Sequence, residues 1–391
     1  MPSESSYWIL TVPVQAESST EQMYIDIEKR LAQDSAATSD DIAPLPLPAL
    51  KTGTLESLIT LSEDFARTDA LFTSITTRIS DTVSMLVDGD EAALAENLQV
   101  NGEPVDKYLF NWRWNSGKYR QDRSLPDLIQ LLTREMQTID HAIKQRLNSY
   151  NSAKSTLQQL ERRHTGNLSV RAISDVVKRD DVVPSSDFLE TLLVAVPRNN
   201  VSDWNASYER LASMVVPRSA HEIARDDEFA LFSVVVFKKV HDEFVQKARE
   251  HKYVIRDFTW DEGIQEREQG ELQDARSLEK ELWHELLQFS STNFDEAYEA
   301  LQHFKVIRAF VESVLRFGLP AEYFGLIIRP NARRLKALVG SLAGHYSGLS
   351  EYMSRRDKNG ESATHQDTPG EYANLLEQEV FPFVLTEQLR L

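Results

Sequence analysis

Cysteine is absent from all 391 residues, which excludes disulfides, thiolate metal ligands and a cysteine nucleophile together. Long apolar runs are missing too, since no stretch approaches the 18 residues needed to span a bilayer. Met1 to Glu17 carry no Lys or Arg ahead of their short apolar run, so they do not read as a secretory signal. The sequons at Asn167, Asn200 and Asn205 therefore lack a secretory context. Positive charge is scarce: 43 Lys and Arg face 61 Asp and Glu, a net charge of −18. Such a surface repels phosphate backbones, so nucleic acid is not an expected partner. With 41% hydrophobic and 27% charged residues, the chain suits a folded protein with much surface per residue, as an elongated one has. A soluble, intracellular, acidic protein is expected.

Catalytic signatures are missing as well. No Gly-x-x-x-x-Gly-Lys-Ser/Thr or Gly-x-Gly-x-x-Gly occurs. Gly340-Ser341-Leu342-Ala343-Gly344 has the wrong spacing for a hydrolase elbow and reads as a flexible helix end. His284-Glu285 and His221-Glu222 lack the second His that a zinc site needs. Asp357 to Glu361 lacks the alternation of a calcium loop and reads as a turn. No catalytic, cofactor-binding or metal site is expected.

What is present is hydrophobic periodicity. Leu58, Leu61, Phe65, Phe72, Ile75, Ile79 and Leu86 follow a three-four spacing that predicts a long helix ending near Asp88-Gly89. A second begins near Ser124, with Pro126 in its first turn, and carries Ile129, Met136, Ile143, Tyr150 and Leu157 at seven-residue intervals. Leu132, Ile139, Ala153 and Leu160 interleave, Arg146 interrupts, and Thr165-Gly166 reads as the stop. From Ile129 to His164 such a helix is about 54 Å long, so it is expected to leave one body and reach toward another. A third helical region, Asp261 to Phe317, is charged and amphipathic through Leu278, Leu282 and Leu286. Ser290 to Asn293 read as a break with Asn293 capping. Beyond it, Phe294, Tyr298, Leu301, Phe304, Ile307 and Phe310 are apolar nearly all round and predict burial. Ile143, Tyr150 and Leu157 are expected to face Leu278, Leu282 and Leu286.

Between Gly166 and Trp260 the period changes. Thr191–Val196, Ala230–Phe237 and Tyr253–Phe258 read as strands, with helical patterns around Trp204 and Phe244 between them, predicting a small α/β domain. Tyr7–Val12, Gly325–Arg329 and Val380–Leu385 are further strand candidates, and the two chain ends can pair in one sheet. Leu45 to Pro48 is an extended crossing and Arg355 to Gly370 a polar loop. No internal repeat is evident.

Two basic clusters stand out in the acidic chain. Arg162, Arg163, His164, Arg171, Lys178 and Arg179 form one; Lys238, Lys239, Lys247, Arg249 and Lys252 form the other. Singly, such residues are ordinary solubilising groups. Together they suit an acidic helical partner, and Arg162, Arg163, Arg171, Lys178, Lys238 and Lys239 are the candidate partner-binding residues.

Several strings are recognisable: Tyr150 to Lys154, Glu161 through Arg171 (Glu-Arg-Arg-His-Thr-Gly-Asn-Leu-Ser-Val-Arg), Leu193 to Pro197, Leu231 to Lys239 and Val311 to Pro320. They resemble the C subunit of the eukaryotic vacuolar-type proton-translocating ATPase (V-ATPase), over nearly the whole chain and with matched order and spacing, closest to fungal members. Glu17 to Ala43 departs most. The resemblance implies an α+β, mostly helical fold shaped as an elongated dumbbell. A foot is built from residues 1–128 and 290–391, a helical neck from 129–166 and 261–289, and a small central α/β head from 167–260.

It also implies a non-catalytic stator subunit of the V1 sector. That subunit bridges the peripheral stalks, each an E–G heterodimer, and the cytosolic N-terminal domain of the membrane-sector a subunit, and it controls reversible V1–Vo assembly. It would be a cytoplasmic monomer when free, peripheral to the cytosolic face of the vacuolar membrane when assembled, with no membrane insertion. Nucleotide and actin binding have been discussed for the family; the sequence shows no phosphate-cradling motif for the first and no recognisable signal for the second. The helices alone equally suit a coiled-coil tether or scaffold in membrane traffic, which predicts unbroken heptads and self-association. A cryptic hydrolase instead predicts a deep pocket with converging titratable groups in the central domain.

Overall fold

Local signals set the helix ends. The Thr54 hydroxyl accepts the Ser57 N–H and opens the helix Leu55–Leu86 (α2), while Asp88 and Gly89 turn into positive φ and Gly89 N–H bonds back to Ser84, closing it. Ser124 caps the helix Leu125–Thr165 (α5) by accepting the Asp127 N–H. Gly166 follows that helix with its N–H on the Arg162 carbonyl at 3.0 Å, and a Cβ there would lie 2.7 Å from the same oxygen, so the position needs Gly. The computed structural model describes residues 6–14, 19–174, 176–183, 186–258, 263–349 and 381–390. The expected polar loop at 355–370, the turn at 357–361 and Val380 lie outside them.

Among these residues the order is β1 (Ser6–Pro13), α1 (Thr20–Gln33), β2 (Ile42–Leu45), α2 (Leu55–Leu86) and α3 (Glu91–Asn97). A short hairpin, β3 (Gln99–Val100) and β4 (Glu103–Pro104), leads to α4 (Val105–Phe110) and α5 (Leu125–Thr165). Then come β5 (Leu189–Pro197), α6 (Val201–Ser207), β6 (His221–Arg225), β7 (Phe229–Phe237), α7 (His241–Glu250) and β8 (Val254–Arg256). The chain closes with α8 (Ile264–Phe317), β9 (Tyr323–Ile328), α9 (Leu335–His345) and β10 (Val384–Leu389). The fold is mixed α+β and mostly helical. It divides into two units, residues 1–145 with 286–391, and residues 146–285.

In the first unit the antiparallel sheet runs β10-β1-β9-β2, so the last described strand pairs with the first, Ser6 opposite Leu389. Helices α1 and α9 cover one face through Met23, Ile27, Leu31, Leu338 and Leu342. On the other face Tyr7, Ile9 and Ile327 join a core shared with α2, α5 and α8. Phe304 of α8 sits between Phe65 and Phe72 of α2 at centroid distances of 5.8 and 5.0 Å.

The second unit's sheet runs β6-β7-β5-β8, with Leu189 opposite Phe237 and Pro197 opposite Phe229. Its strand–helix–strand crossovers skip one position. The parallel partners are therefore split by an antiparallel strand, and the sheet is antiparallel at every pairing. Helices α6 and α7 cover one face around Trp204 and Phe244. Residues 168–182 cover the other through Leu168, Ile173, Val177 and Val182. This is the ferredoxin-like split βαβ arrangement. The first unit has the same one: β1-α1-β2 and β9-α9-β10 map onto β5-α6-β6 and β7-α7-β8, with α2 to α8 inserted between the halves. The repeat absent from the sequence is present in the topology.

Two local expectations are corrected. No break occurs at Ser290 to Asn293, since α8 runs unbroken. Asn293 and Thr292 turn their side chains back to the Phe289 and Gln288 carbonyls, and Ser291 bonds the Asn97 carbonyl, so these residues serve the helix interior. Ser341 lies inside α9, not at a helix end, and donates to Asp34 at 2.6 Å. Tyr150 and Leu286 are buried, whereas Leu278 is 50% exposed and Leu157 half-buried. Arg146, which interrupts the α5 stripe, reaches Glu285 at 3.2 Å.

Phe304 is fully buried, so Phe304→Ala is expected to cost about 3–5 kcal/mol, read as a lowered urea midpoint for the first unit's transition. Leu157→Ala should cost less than half as much. Equal losses would contradict the burial difference.

Candidate functional site

Among the described residues no three His, Cys, Asp or Glu converge to hold a metal. Glu222 pairs with Arg225 at 2.8 Å and Glu285 with Arg146, so both expected His–Glu pairs have their carboxylates engaged. A groove of about 930 Å³ lies between α1 and the β2–β9 edge, and its lining includes Tyr24, Ile25, Leu47, Phe110 and Trp112. It presents no converging acid and base.

The best-built polar cluster surrounds His303, which periodicity alone could not single out. This fully buried side chain lies against Trp112, Trp114 and Tyr119 at centroid distances of 5.3, 4.8 and 4.6 Å. Its Nδ1 is 2.7 Å from the Glu299 carbonyl, and its Nε2 accepts the Asn115 N–H at 3.0 Å. That pattern requires the proton on Nδ1 and a neutral ring. Burial lowers the His303 pKa to about 4; the Glu299 carbonyl works against this and the Lys118 charge adds to it. Lys118 lies between Glu135 and Glu299 at 3.6 and 3.7 Å, and Tyr119 donates to Glu135 at 2.8 Å. The arrangement pins residues 112–119 onto α8. It is a structural lock with no open face for a substrate.

The six predicted partner-binding residues all fall in the second unit. Arg162 and Arg163 are exposed in the last turn of α5. Arg171 is half-buried, and its carbonyl accepts from Arg256 at 2.6 Å. Lys178 is exposed on the segment covering the sheet, and Lys238 and Lys239 are exposed in the 3-10 turn after β7. They do not form one patch. Just past Arg162 and Arg163, Asn167 bonds Glu228 and the Leu168 N–H bonds Asp226 at 2.6 Å, which fixes that end beside Phe229. Lys238 and Lys239 follow Phe237, eight residue steps or about 27 Å along the strand. Asp226 latches the Phe229 end. Burial opposes its charge, but N–H groups of Leu168, Phe229 and Glu228 hold its pKa below the usual carboxylate value.

Sequence reasoning also passed over the exposed Phe188, Met214 and Phe237. Their only signal is apolar residues placed at strand ends beside Lys238-Lys239.

Two split βαβ units, one of them holding a long helical insertion, define the class: a mostly helical α+β protein with a duplicated sheet topology. Residues 7–384 match the family of the V-ATPase C subunit. The chain is 33% identical over 381 residues to the C 1-A subunit of the Danio rerio V-type proton ATPase and to the C 1 subunit of the Xenopus tropicalis enzyme. It is 33% identical over 382 residues to the C 1 subunit of Macaca fascicularis; in each case 97% of both chains is covered. The chain belongs to the V-ATPase C-subunit family, so it is a subunit of the V-type proton-transporting ATPase. No helix among the described residues is long and apolar enough to cross a membrane.

The His303 lock sets a pH dependence. A base whose pKa is lower folded than unfolded stays neutral in the native state while the unfolded chain takes up a proton. Native stability is therefore lost as pH falls from about 6.5 to about 4, by up to about 3 kcal/mol. His303→Gln, whose amide oxygen can still accept the Asn115 N–H, should flatten that part of the stability–pH curve measured by urea unfolding. An unchanged slope would show that His303 is not the group responsible.

Proposed function

We propose that this chain is the non-catalytic stator subunit of the V1 sector. In this reading it bridges E–G peripheral-stalk heterodimers and the cytosolic N-terminal domain of the membrane-sector a subunit, and it controls reversible V1–Vo assembly at the cytosolic face of the membrane. The observation that carries it is the pair of α+β units, each with its own cores, on one chain of the C-subunit family. Rotary catalysis exerts torque on every static part, so a stator needs more than one docking body on a single polypeptide. A foot of residues 1–128 and 290–391, a neck of 129–166 and 261–289 and a head of 167–260 give the organisation this role calls for.

Contacts that must break on demand are better polar and modest in area than large and hydrophobic. Arg162, Arg163, Arg171, Lys178, Lys238 and Lys239 are the proposed head contacts. Exposed pairs contribute only about 0–1 kcal/mol each, so the separated groups would add small contributions, with no single residue dominating.

Purified full-length protein should bind both the E–G heterodimer and the N-terminal domain of the a subunit in size-exclusion and calorimetric measurements. Cells lacking it should lose ATP-driven acidification, with recovery when the chain is restored. Binding to neither partner, or self-association into a stable dimer, would rule this reading out.

A further inference from the structure

The second unit's sheet has one face under α6 and α7 and the other under the segment that carries Leu168, Ile173, Val177 and Val182. The Val183 N–H bonds the Thr191 hydroxyl at 2.9 Å, level with the Thr191–Val235 pair. One rung further on the same face comes Leu189 opposite Phe237, since directly paired residues share a face and alternate residues repeat it. Met214 flanks Phe237 on its other side. Its carbonyl accepts the Phe237 N–H at 3.2 Å, beside the Val215–Val236 bridge. An apolar row, Met214–Phe237–Leu189, thus crosses the end of the sheet, with Met214 and Phe237 43% and 40% exposed. Phe188, the residue before Leu189, has its carbonyl accepting the Lys238 N–H at 2.9 Å and is 73% exposed, the most of any large apolar side chain described. Scattered exposed apolar residues are ordinary, but a contiguous group marks a contact surface.

We propose that this end of the second unit is the docking surface for an amphipathic helix with acidic flanks, contributed by a neighbouring protein of the complex. The inference rests on the stator reading and names where and by what chemistry the partner binds. Width selects a helix: three side chains across two strand spacings span about 10 Å, the diameter of one helix with its side chains. Charge selects its flanks. Lys238 and Lys239 are exposed and form no ion pair among the described residues, while Glu190 and Glu243 are already taken by His241 and Lys247 at 2.8 Å. Asp187 and Asp242, exposed and next in sequence to Phe188 and His241, are acidic groups close along the chain. Phe and Met supply the adaptable apolar contact that interface centres favour.

The full-length protein is titrated against purified E–G heterodimer at low and high salt, with each variant's fold checked by circular dichroism melting. M214S/F237S should weaken binding about tenfold or more at both salts, because it removes the two exposed members of the apolar row. K238E/K239E should weaken it about tenfold at low salt and remove most of the salt dependence. R162E/R163E, at the opposite end of β7, should change affinity about threefold at most. Phe237→Ser alone, at a side chain 40% exposed, should still weaken binding measurably. If the wild type binds and the Phe variants bind equally well, or if R162E/R163E takes the main loss, the docking surface is wrong and the stator reading stands. If the wild type does not bind the heterodimer, both fall together.

Discussion

A split βαβ sheet has two apolar faces and brings only enough helix to cover one. In the first unit α1 and α9 cover one face, leaving Tyr7, Ile9 and Ile327 on the other. Burying one such side chain contributes about 1.5–3 kcal/mol, so an open face would forfeit much of a domain's net stability. The insertion between β2 and β9 meets that need. Helix α8 packs its second half on the sheet and on α2 at once, which is why Phe294, Leu301, Phe304 and Ile307 are apolar nearly all round and fully buried. The second unit meets the same need with the segment carrying Leu168, Ile173, Val177 and Val182, which pack on the face opposite α6 and α7.

Elements written in local pattern were legible in the sequence. The three-four stripes gave α2 and α5 with their stops at Gly89 and Gly166, and the β-branched runs gave β5 and β7 almost to the residue. Ser290 to Asn293 misled because each of these residue types caps helices or sits within them, and neighbours distant in sequence decide which. Only the Asn97 carbonyl, from the end of α3, shows where Ser291 belongs. The duplicated topology leaves almost no sequence trace, since a split crossover needs only alternating apolar residues, and many sequences supply them. The basic residues were legible as charge but not as a surface. Their separation along β7 follows from the latch of Asn167 and Leu168 onto Glu228 and Asp226, a contact between segments about sixty residues apart.

Burial also constrains the charges that α8 carries through its apolar half. Lys305 is 5% exposed, and burial lowers its pKa while Asp69 pulls it back up. Its Nζ lies 2.6 Å from Asp69, and Arg308 reaches both Asp69 and Glu312. A buried pair of this kind adds little net stability, but removing one partner leaves an uncompensated charge. Sliding α2 against α8 by one turn would strand Lys305 and Arg308 without Asp69. The network therefore penalises other registers, a selectivity that apolar packing of similar side chains supplies only weakly.

Because the two sheets share one topology, the same position can be compared in each. The residue after the third strand is Arg329 in the first unit and Lys238 in the second. Arg329 is held at 3.1 Å from Asp41 and 3.2 Å from Asp106, over the Phe110 ring, and Ile327 and Ile328 beside it are buried at 1% and 0% exposure. That strand end is closed by the unit's own side chains. Lys238 has no ion-pair partner among the described residues, and Phe237 beside it is 40% exposed. The topology does not require the exposure, because its copy in the same chain closes the equivalent end with one arginine and two aspartates. Leaving Phe237 and Lys238 open forgoes several favourable contacts in the isolated subunit. Those contacts remain available to another molecule, as the proposed docking surface requires.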